Sequence, residues 1–275
     1  MKQALNQALD RLTSGAASVP ERHDVLMQFS DVTLDLGGKT IVEKLAIQVR
    51  RGEFVCVIGA SGCGKTTALR LAAGLYQPTS GTVTFAGAPM SRPRRDIAIV
   101  FQDYGKALLP WRNAAGNISL VLEAAGVAPA ARAAKIKMLL ARVGLPDHAE
   151  KYPAEMSGGM QQRLQIARCL AQEPVALLMD EPFGALDAMT RQGLQDEVLA
   201  LVAASGATVL SVTHDLEEAI YLGDRVIGLL PHPGRIGIEL SVSLQRPRDQ
   251  LTTREDPEFL RLRRELFDFI KASER

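Results

Sequence analysis

Gly59-Ala60-Ser61-Gly62-Cys63-Gly64-Lys65-Thr66 fits G-x-x-x-x-G-K-[ST], the pattern of a phosphate-binding loop. Before it, Glu53-Phe54-Val55-Cys56-Val57-Ile58 reads as a buried strand; after it, residues 67–74 read as a helix closed by Gly74. The motif requires that strand and that helix, and they argue against a chance match in a Gly-rich turn. Loop N–H groups and a helix N-terminus together make an anion site. In that setting Lys65 reaches the β- and γ-phosphates, and the Thr66 hydroxyl binds Mg²⁺. Thr67 follows in the same turn and is taken with the loop as nucleotide-binding.

Outward from this loop, residues 26–36 and 41–49 are strand-like and flank Gly37-Gly38, a hairpin signal. Residues 82–85 and 97–101 are also strand-like, and these early strands read as an antiparallel β layer beside the phosphate-loop core. From about 103 to 153 the character changes to Ala-rich helical segments, 117–125 and 130–143, broken by Gly126, Pro129, Gly144 and Pro146. That stretch predicts a helical subdomain inserted into the core. Strand and helix then alternate: 175–179, 189–204, 208–212, 216–222. Alternation of this kind predicts a parallel sheet covered on both faces. Residues 225–230 and 235–240 close it as short strands. Asp256 and Pro257 open a C-terminal helix whose stripe is Phe259, Leu262, Leu266, Phe269 and Ile270. The fold class is therefore α/β: a P-loop NTPase core with a parallel sheet, an antiparallel β layer and an inserted helical subdomain. Residues 1–24 form an N-terminal tail, in which Leu5, Leu9 and Leu12 have helical spacing. The main domain spans 25–250, with the helical subdomain at about 103–172, and the C-terminal helix spans 251–275.

Bulk composition narrows the function classes. The chain has 275 residues, 47% hydrophobic and 23% charged, with net charge +1. No strong field draws nucleic acid or anionic lipid, so no nucleic-acid partner is expected. No apolar run reaches bilayer length, and the first residues lack a signal-peptide core, so a cytoplasmic chain is expected. Cys56, Cys63 and Cys169 share no metal-ligand spacing, and they read as small buried hydrophobes.

Two further signals follow the loop. Leu177-Leu178-Met179-Asp180-Glu181 is an apolar strand ending in carboxylates. Asp180 is placed to hold Mg²⁺ opposite Thr66, and Glu181 to act as general base on a water or to orient it. Alone, this run reads equally well as a strand capped by solvated acids. Ser157-Gly158-Gly159-Met160-Gln161-Gln162-Arg163 opens another helix, with Ser157 as N-cap and glycines that admit a ligand to the backbone.

The phosphate loop, Gln102, Ser157-Gly158-Gly159-x-Gln161, Asp180-Glu181, Ala185-Leu186-Asp187 and His214 occur in that order. This succession resembles the nucleotide-binding subunit of ATP-binding-cassette (ABC) transporters over residues 26–240. The resemblance implies ATP and Mg²⁺ as cofactors and a head-to-tail pair of chains with two ATP molecules between them. It implies that Ser157, Gly158 and Gly159 contact the γ-phosphate held by Lys65 of the second copy, and that Asp187 crosses the dimer interface. It implies that Gln102 joins Thr66 and Asp180 around the metal, and that His214 works with Glu181 and Gln102 in hydrolysis. Two positions depart from the family. Met156 and Met160 stand where most relatives carry Leu and Gln, with Gln161 a candidate to compensate. Leu36 stands where relatives often stack adenine on an aromatic ring, so apolar contact replaces stacking.

Residues 101–104, Leu108-Leu109-Pro110-Trp111-Arg112-Asn113, Pro182-Phe183-Gly184-Ala185-Leu186-Asp187, Pro233-Gly234-Arg235 and the short tail with Asp256-Pro257-Glu258-Phe259 resemble ATPase subunits of importers for nitrate, sulfonates, taurine and related small anions. That likeness implies transmembrane permease partners, an indirect substrate-binding protein and a peripheral place on the cytoplasmic face of the inner membrane. Trp111 reads either as a core anchor or as part of a groove for a permease helix. Alternatives are a soluble ABC ATPase uncoupled from transport, an importer ATPase for a thiamine-type precursor, a P-loop kinase and a regulatory cassette without turnover. The kinase reading leaves Ser157-Gly158-Gly159 and His214 without a role.

Overall fold

The computed structural model describes residues 24–184 and 186–273. Residues 1–23 of the tail expected at 1–24, with its Leu5, Leu9 and Leu12 spacing, and the Ala185 position of the Ala185-Leu186-Asp187 motif lie outside the described residues.

Strands β1 (Val25–Leu36) and β2 (Lys39–Leu45) form the hairpin expected at Gly37-Gly38, where both glycines take positive φ, 57° and 77°. The run 41–49 is not one strand: it breaks after Leu45, and β3 (Gln48–Arg50) pairs back on β1. β4 (Phe54–Gly59) feeds the phosphate loop, and α1 (Lys65–Ala72) follows it. β5 (Ser80–Phe85) and β6 (Ala88–Pro89) complete an antiparallel layer in the order β2-β1-β5-β6, with β3 on β1.

β7 (Ile97–Val100) corrects the expectation. It leaves the antiparallel layer and pairs in parallel with β8 (Ala176–Asp180), from Ile97↔Ala176 to Val100↔Met179. Its run Ile97-Ala98-Ile99-Val100 has no polar alternate, which suits a strand covered on both faces.

The inserted subdomain comprises α2 (Tyr104–Ala107), α3 (Ala114–Ala124), α4 (Pro129–Arg142), a 3₁₀ turn at Pro153–Glu155 and α5 (Gly158–Leu170). Pro129 begins α4 rather than interrupting it, because its missing N–H costs nothing in the first turn. After β8 come α6 (Ala188–Ser205), β9 (Thr208–Val212), α7 (Leu216–Leu222), β10 (Arg225–Leu230) and β11 (Arg235–Ser241). The main sheet runs β11-β10-β4-β9-β8-β7 and is parallel except for β11. The C-terminal stretch is two helices rather than one: α8 (Thr252–Glu255), then α9 (Pro257–Ser273), with Asp256 Oδ1 accepting from Glu258 N at 2.8 Å.

The side-chain period of two on β4 divides the interior. Phe54, Cys56 and Ile58 face the core shared with the subdomain and α9, while Val55 and Val57 face the core between the two sheets, which encloses α1. The same alternation sends Leu177 and Met179 one way and Ala176 and Leu178 the other. With both faces covered, the open ends of β4, β8 and β9 are where polar groups gather, as is usual at the carboxyl edge of a parallel sheet.

Candidate functional site

The phosphate loop is held in a conformation that side chains would obstruct. Gly59 has φ 153°, and a Cβ there would lie 2.6 Å from Cys63 Sγ; Gly64 has φ 95°, and its Cβ would lie 2.5 Å from Val42 Cγ1. The Lys65 ammonium donates to Gly59 O at 2.7 Å and Ala60 O at 3.0 Å. An ammonium has three N–H donors, so one remains for an anion. The first-turn N–H groups of α1 have no acceptor within their own helix and add to that field. Cys63 is buried and its thiol is pushed up by desolvation, so it packs rather than reacts.

Opposite the loop, β8 delivers two carboxylates with different surroundings. Thr66 Oγ1 donates to Asp180 Oδ1 at 2.9 Å, and burial pushes the Asp180 carboxyl up. A desolvated carboxylate beside a hydroxyl is an oxygen donor set that fits Mg²⁺, an ion commonly held by one or two carboxylates plus substrate phosphates. Glu181 leaves the strand at φ 45°, a conformation uncommon outside glycine, while its N–H still bonds Val212 O at 2.9 Å. That turn aims its carboxylate into the cavity. Gln102 Nε2 donates to Glu181 Oε2 at 3.0 Å, and His214 Nδ1 lies 3.3 Å from the same oxygen. Both contacts fall on Oε2, and the side chain is 22% exposed.

These groups enclose a cavity of about 620 Å³ lined by Ile41, Ser61, Gly62, Gly64, Lys65, Thr66, Thr67, Gln102, Glu181 and His214. The volume suits a nucleotide-sized ligand. Ile41 was not singled out in the sequence. Leu36, which the resemblance placed against adenine, is exposed and does not line the cavity.

Other expected residues stand apart. Ser157, Gly158, Gly159 and Asp187 do not line this cavity. Ser157 caps α5, its Oγ accepting from Met160 N at 3.4 Å. Gly159 has little room: a Cβ would meet Thr190 Cγ2 at 3.0 Å. Asp187 caps α6 by accepting from Thr190 N at 3.1 Å, and those bonds hold its carboxyl below the usual range. Gln161 does not replace Met160, because its amide is committed to Pro153 O (2.9 Å) and Met156 O (3.2 Å). Trp111 is 71% exposed, which removes the core-anchor reading.

The layered fold, the phosphate loop and the paired carboxylates define a P-loop ATPase. The ABC transporter family model matches residues 42–184, just over half of the chain. The chain belongs to the ABC transporter family, as the ATP-binding component. It is 43% identical over 237 residues to the nitrate import ATP-binding protein NrtD of Synechococcus elongatus, covering 85% of this chain and 86% of that one. It is 45% identical over 232 residues to the aliphatic sulfonates import ATP-binding protein SsuB 2 of Burkholderia cenocepacia, covering 84% and 82%. A solved dimer of the ATP-binding cassette MJ0796, in a post-hydrolysis state bound to ADP and Pi, superposes with a TM-score of 0.70 at 30% identity, covering 79% of this chain and 99% of that one.

Proposed function

We propose that this chain is the ATP-hydrolysing subunit of an importer for a small anion such as nitrate, a sulfonate or taurine, powered by ATP-driven closure of a dimer. The observation that carries the reading is the convergence of Lys65, Thr66, Glu181, Gln102 and His214 on one cavity, with Asp180 hydrogen-bonded to Thr66 beside it. The loop from Gly59 through Ala60, Ser61, Gly62, Cys63 and Gly64 to Thr67 cradles the phosphates. Lys65 offers its free N–H to the β- and γ-oxygens. Thr66, Asp180 and Gln102 would hold Mg²⁺, which would neutralise charge on the phosphate oxygens. Glu181 Oε1 accepts a proton from the attacking water, whose oxygen bonds to the γ-phosphorus as the bond to ADP breaks. Gln102 and His214 keep the carboxylate aimed.

Ser157, Gly158 and Gly159 act in trans on a second copy, with Asp187 at the same interface. The domain limits that go with this reading are 25–250 for the ATPase, 103–172 for its helical subdomain and 251–275 for the C-terminal part. The partners are transmembrane permease subunits and, through them, a substrate-binding protein. No helix among the described residues is long and apolar enough to cross a membrane, in keeping with a peripheral place on the cytoplasmic face of the inner membrane.

The anion assignment is supported by two importer relatives of nearly equal identity whose names carry nitrate and aliphatic sulfonates. The test is uptake by the complete importer in vesicles, with nitrate, a sulfonate and a thiamine precursor supplied in turn and ATP inside or outside. Uptake of an anion only with ATP on the side of this chain is the expected result. Magnesium-dependent ATP hydrolysis without coupled uptake of any substrate would favour the uncoupled ATPase.

A further inference from the structure

Helix α7 begins two residues after His214, and side chains from residues 246–263 bond to it at both ends. Its last carbonyls have no acceptor role within the helix. The buried Arg248 guanidinium takes them: Nη1 donates to Ile220 O (3.1 Å) and Tyr221 O (2.5 Å), and Nη2 to Gly223 O (2.8 Å). Arg246 Nη2 adds Leu222 O at 3.0 Å. Cations there also match the helix dipole. At the other end Glu217 receives two arginines: Arg254 Nη1 on Oε2 at 2.6 Å and Arg263 Nη1 on Oε1 at 3.0 Å. Arg254 further lies 5.2 Å over the Tyr221 ring. Gln250 Nε2 reaches Asp196 Oδ1 (2.8 Å) and Gln192 O (3.1 Å) on α6, the helix that Asp187 caps.

The Glu217 side chain is 41% exposed, so its ion pairs contribute little to stability. The two arginines take one carboxylate oxygen each and so bear on the orientation of the first turn of α7, which follows His214. Misplacement of a catalytic group by an ångström can cost a large part of a catalytic rate.

We infer that residues 246–263 are a positioning device for turnover: Arg254 and Arg263 through Glu217, and Arg248 through the last carbonyls of α7, hold the turn that bears His214. The inference rests on the proposed role of His214. It concerns the rate of hydrolysis, not nucleotide affinity.

The experiment measures kcat, KM and ATP affinity of the full chain, with thermal midpoints recorded alongside. The variants are Arg254→Ala with Arg263→Ala, Arg254→Lys with Arg263→Lys, and Glu217→Gln, each with and without His214→Ala. Glu217→Gln keeps the side-chain shape and guards against loss of folding. The Ala pair and Glu217→Gln are expected to lower kcat about fivefold to tenfold, with KM and affinity within about twofold. The Lys pair restores most of the rate. On the His214→Ala background the Ala pair costs nothing more. Unchanged kcat, a loss seated in KM, or an equal loss on both backgrounds overturns the positioning role while the reading of His214 stands. Full activity of His214→Ala alone overturns that reading, and the inference with it.

Discussion

The cavity at the phosphate loop and the start of α5 are both helix N-termini beside glycines, yet the chain treats them differently. Around Lys65 the polar groups satisfy one another inside one molecule: lysine on two carbonyls, Thr66 on Asp180, Gln102 and His214 on Glu181. At Ser157 the only side-chain cap is a long bond from Met160 N, and the residue is exposed. One region is a nearly finished site. In the proposed reading the other is half of one, and it lies outside the cavity of its own chain. A head-to-tail pair would supply the missing half to each cavity, and the contrast can be broken by variants that act on one region alone.

The largest effect belongs to the finished region. Glu181→Gln removes the proposed proton acceptor but can keep the bond from Gln102 and the shape at φ 45°, so ATP hydrolysis should fall by ~10²–10⁴ with ATP affinity retained. Phosphate release and fluorescent-nucleotide binding check the two halves of that statement, and sedimentation should show an ATP-dependent dimer. Undiminished hydrolysis would remove Glu181 from the chemistry.

The next effect belongs to the half site. Ser157→Glu leaves an acidic group near the helix N-terminus, where the dipole tolerates it, but sets it against a γ-phosphate arriving from another chain. Turnover should drop by ~10²–10³, the scale of losing a group that stabilises transition-state charge, with ATP binding to the monomer unchanged. Mixing this variant with Lys65→Ala should restore part of the activity, because a mixed pair contains one cavity with both Lys65 and Ser157. Absence of any recovery on mixing would place Ser157 outside the site of a second copy.

What the sequence carried clearly is what local pattern dictates. The phosphate loop, the strand ending in Asp180-Glu181 and the caps at Ser157 and Asp256 each follow from neighbours a few residues away. Partners distant in sequence were hidden. The sheet that Ile97–Val100 joins depends on Ala176–Asp180, and nothing within the run itself names that partner. The arginines at 246, 248, 254 and 263 look like solvated charge until α7 is placed beneath them. Glu217 and Glu218 are adjacent and chemically alike, yet one turns outward to arginines and the other is 4% exposed beneath the His214 turn. A helical period separates them by about 100°, but only the packed neighbours decide which one is buried.

Glu218 gives the contrast a pH dependence. Burial pushes its carboxyl up to about 7; Asp215 adds to the rise, while Thr213, Gln195 and Arg191 oppose it. Its Oε1 has no hydrogen-bond partner among the described residues, as suits a neutral acid. Below pH ~4.5 both folded and unfolded chains carry the proton, and the raised value changes nothing. Between there and about 7 the folded chain keeps a proton that the unfolded chain has released, so stability falls as pH rises. The full loss is on the order of 3 kcal/mol. Urea unfolding at pH 5 and pH 8 should show that decline, and Glu218→Gln should flatten it by removing the ionisation. An unaltered slope in the variant would assign the pH dependence to other groups.

Met160→Gln is the finest probe of the half site, because it asks whether backbone or side chain does the recognition there. Met160 is partly buried and packed against the subdomain core, while its N–H serves the Ser157 cap. A thioether in apolar contact contributes packing, and replacing it with an amide there should cost about 1 kcal/mol. The donors that the helix N-terminus presents are main-chain groups, which the substitution leaves in place. Turnover should therefore stay within about threefold of the parent, a shift of less than 1 kcal/mol in the barrier. A gain of tenfold or more would mean that an amide at this position reaches the ligand of the other copy. The half site would then depend on its side chains, as the cavity at Lys65 does, and the methionine would mark a weakened contact rather than a neutral exchange.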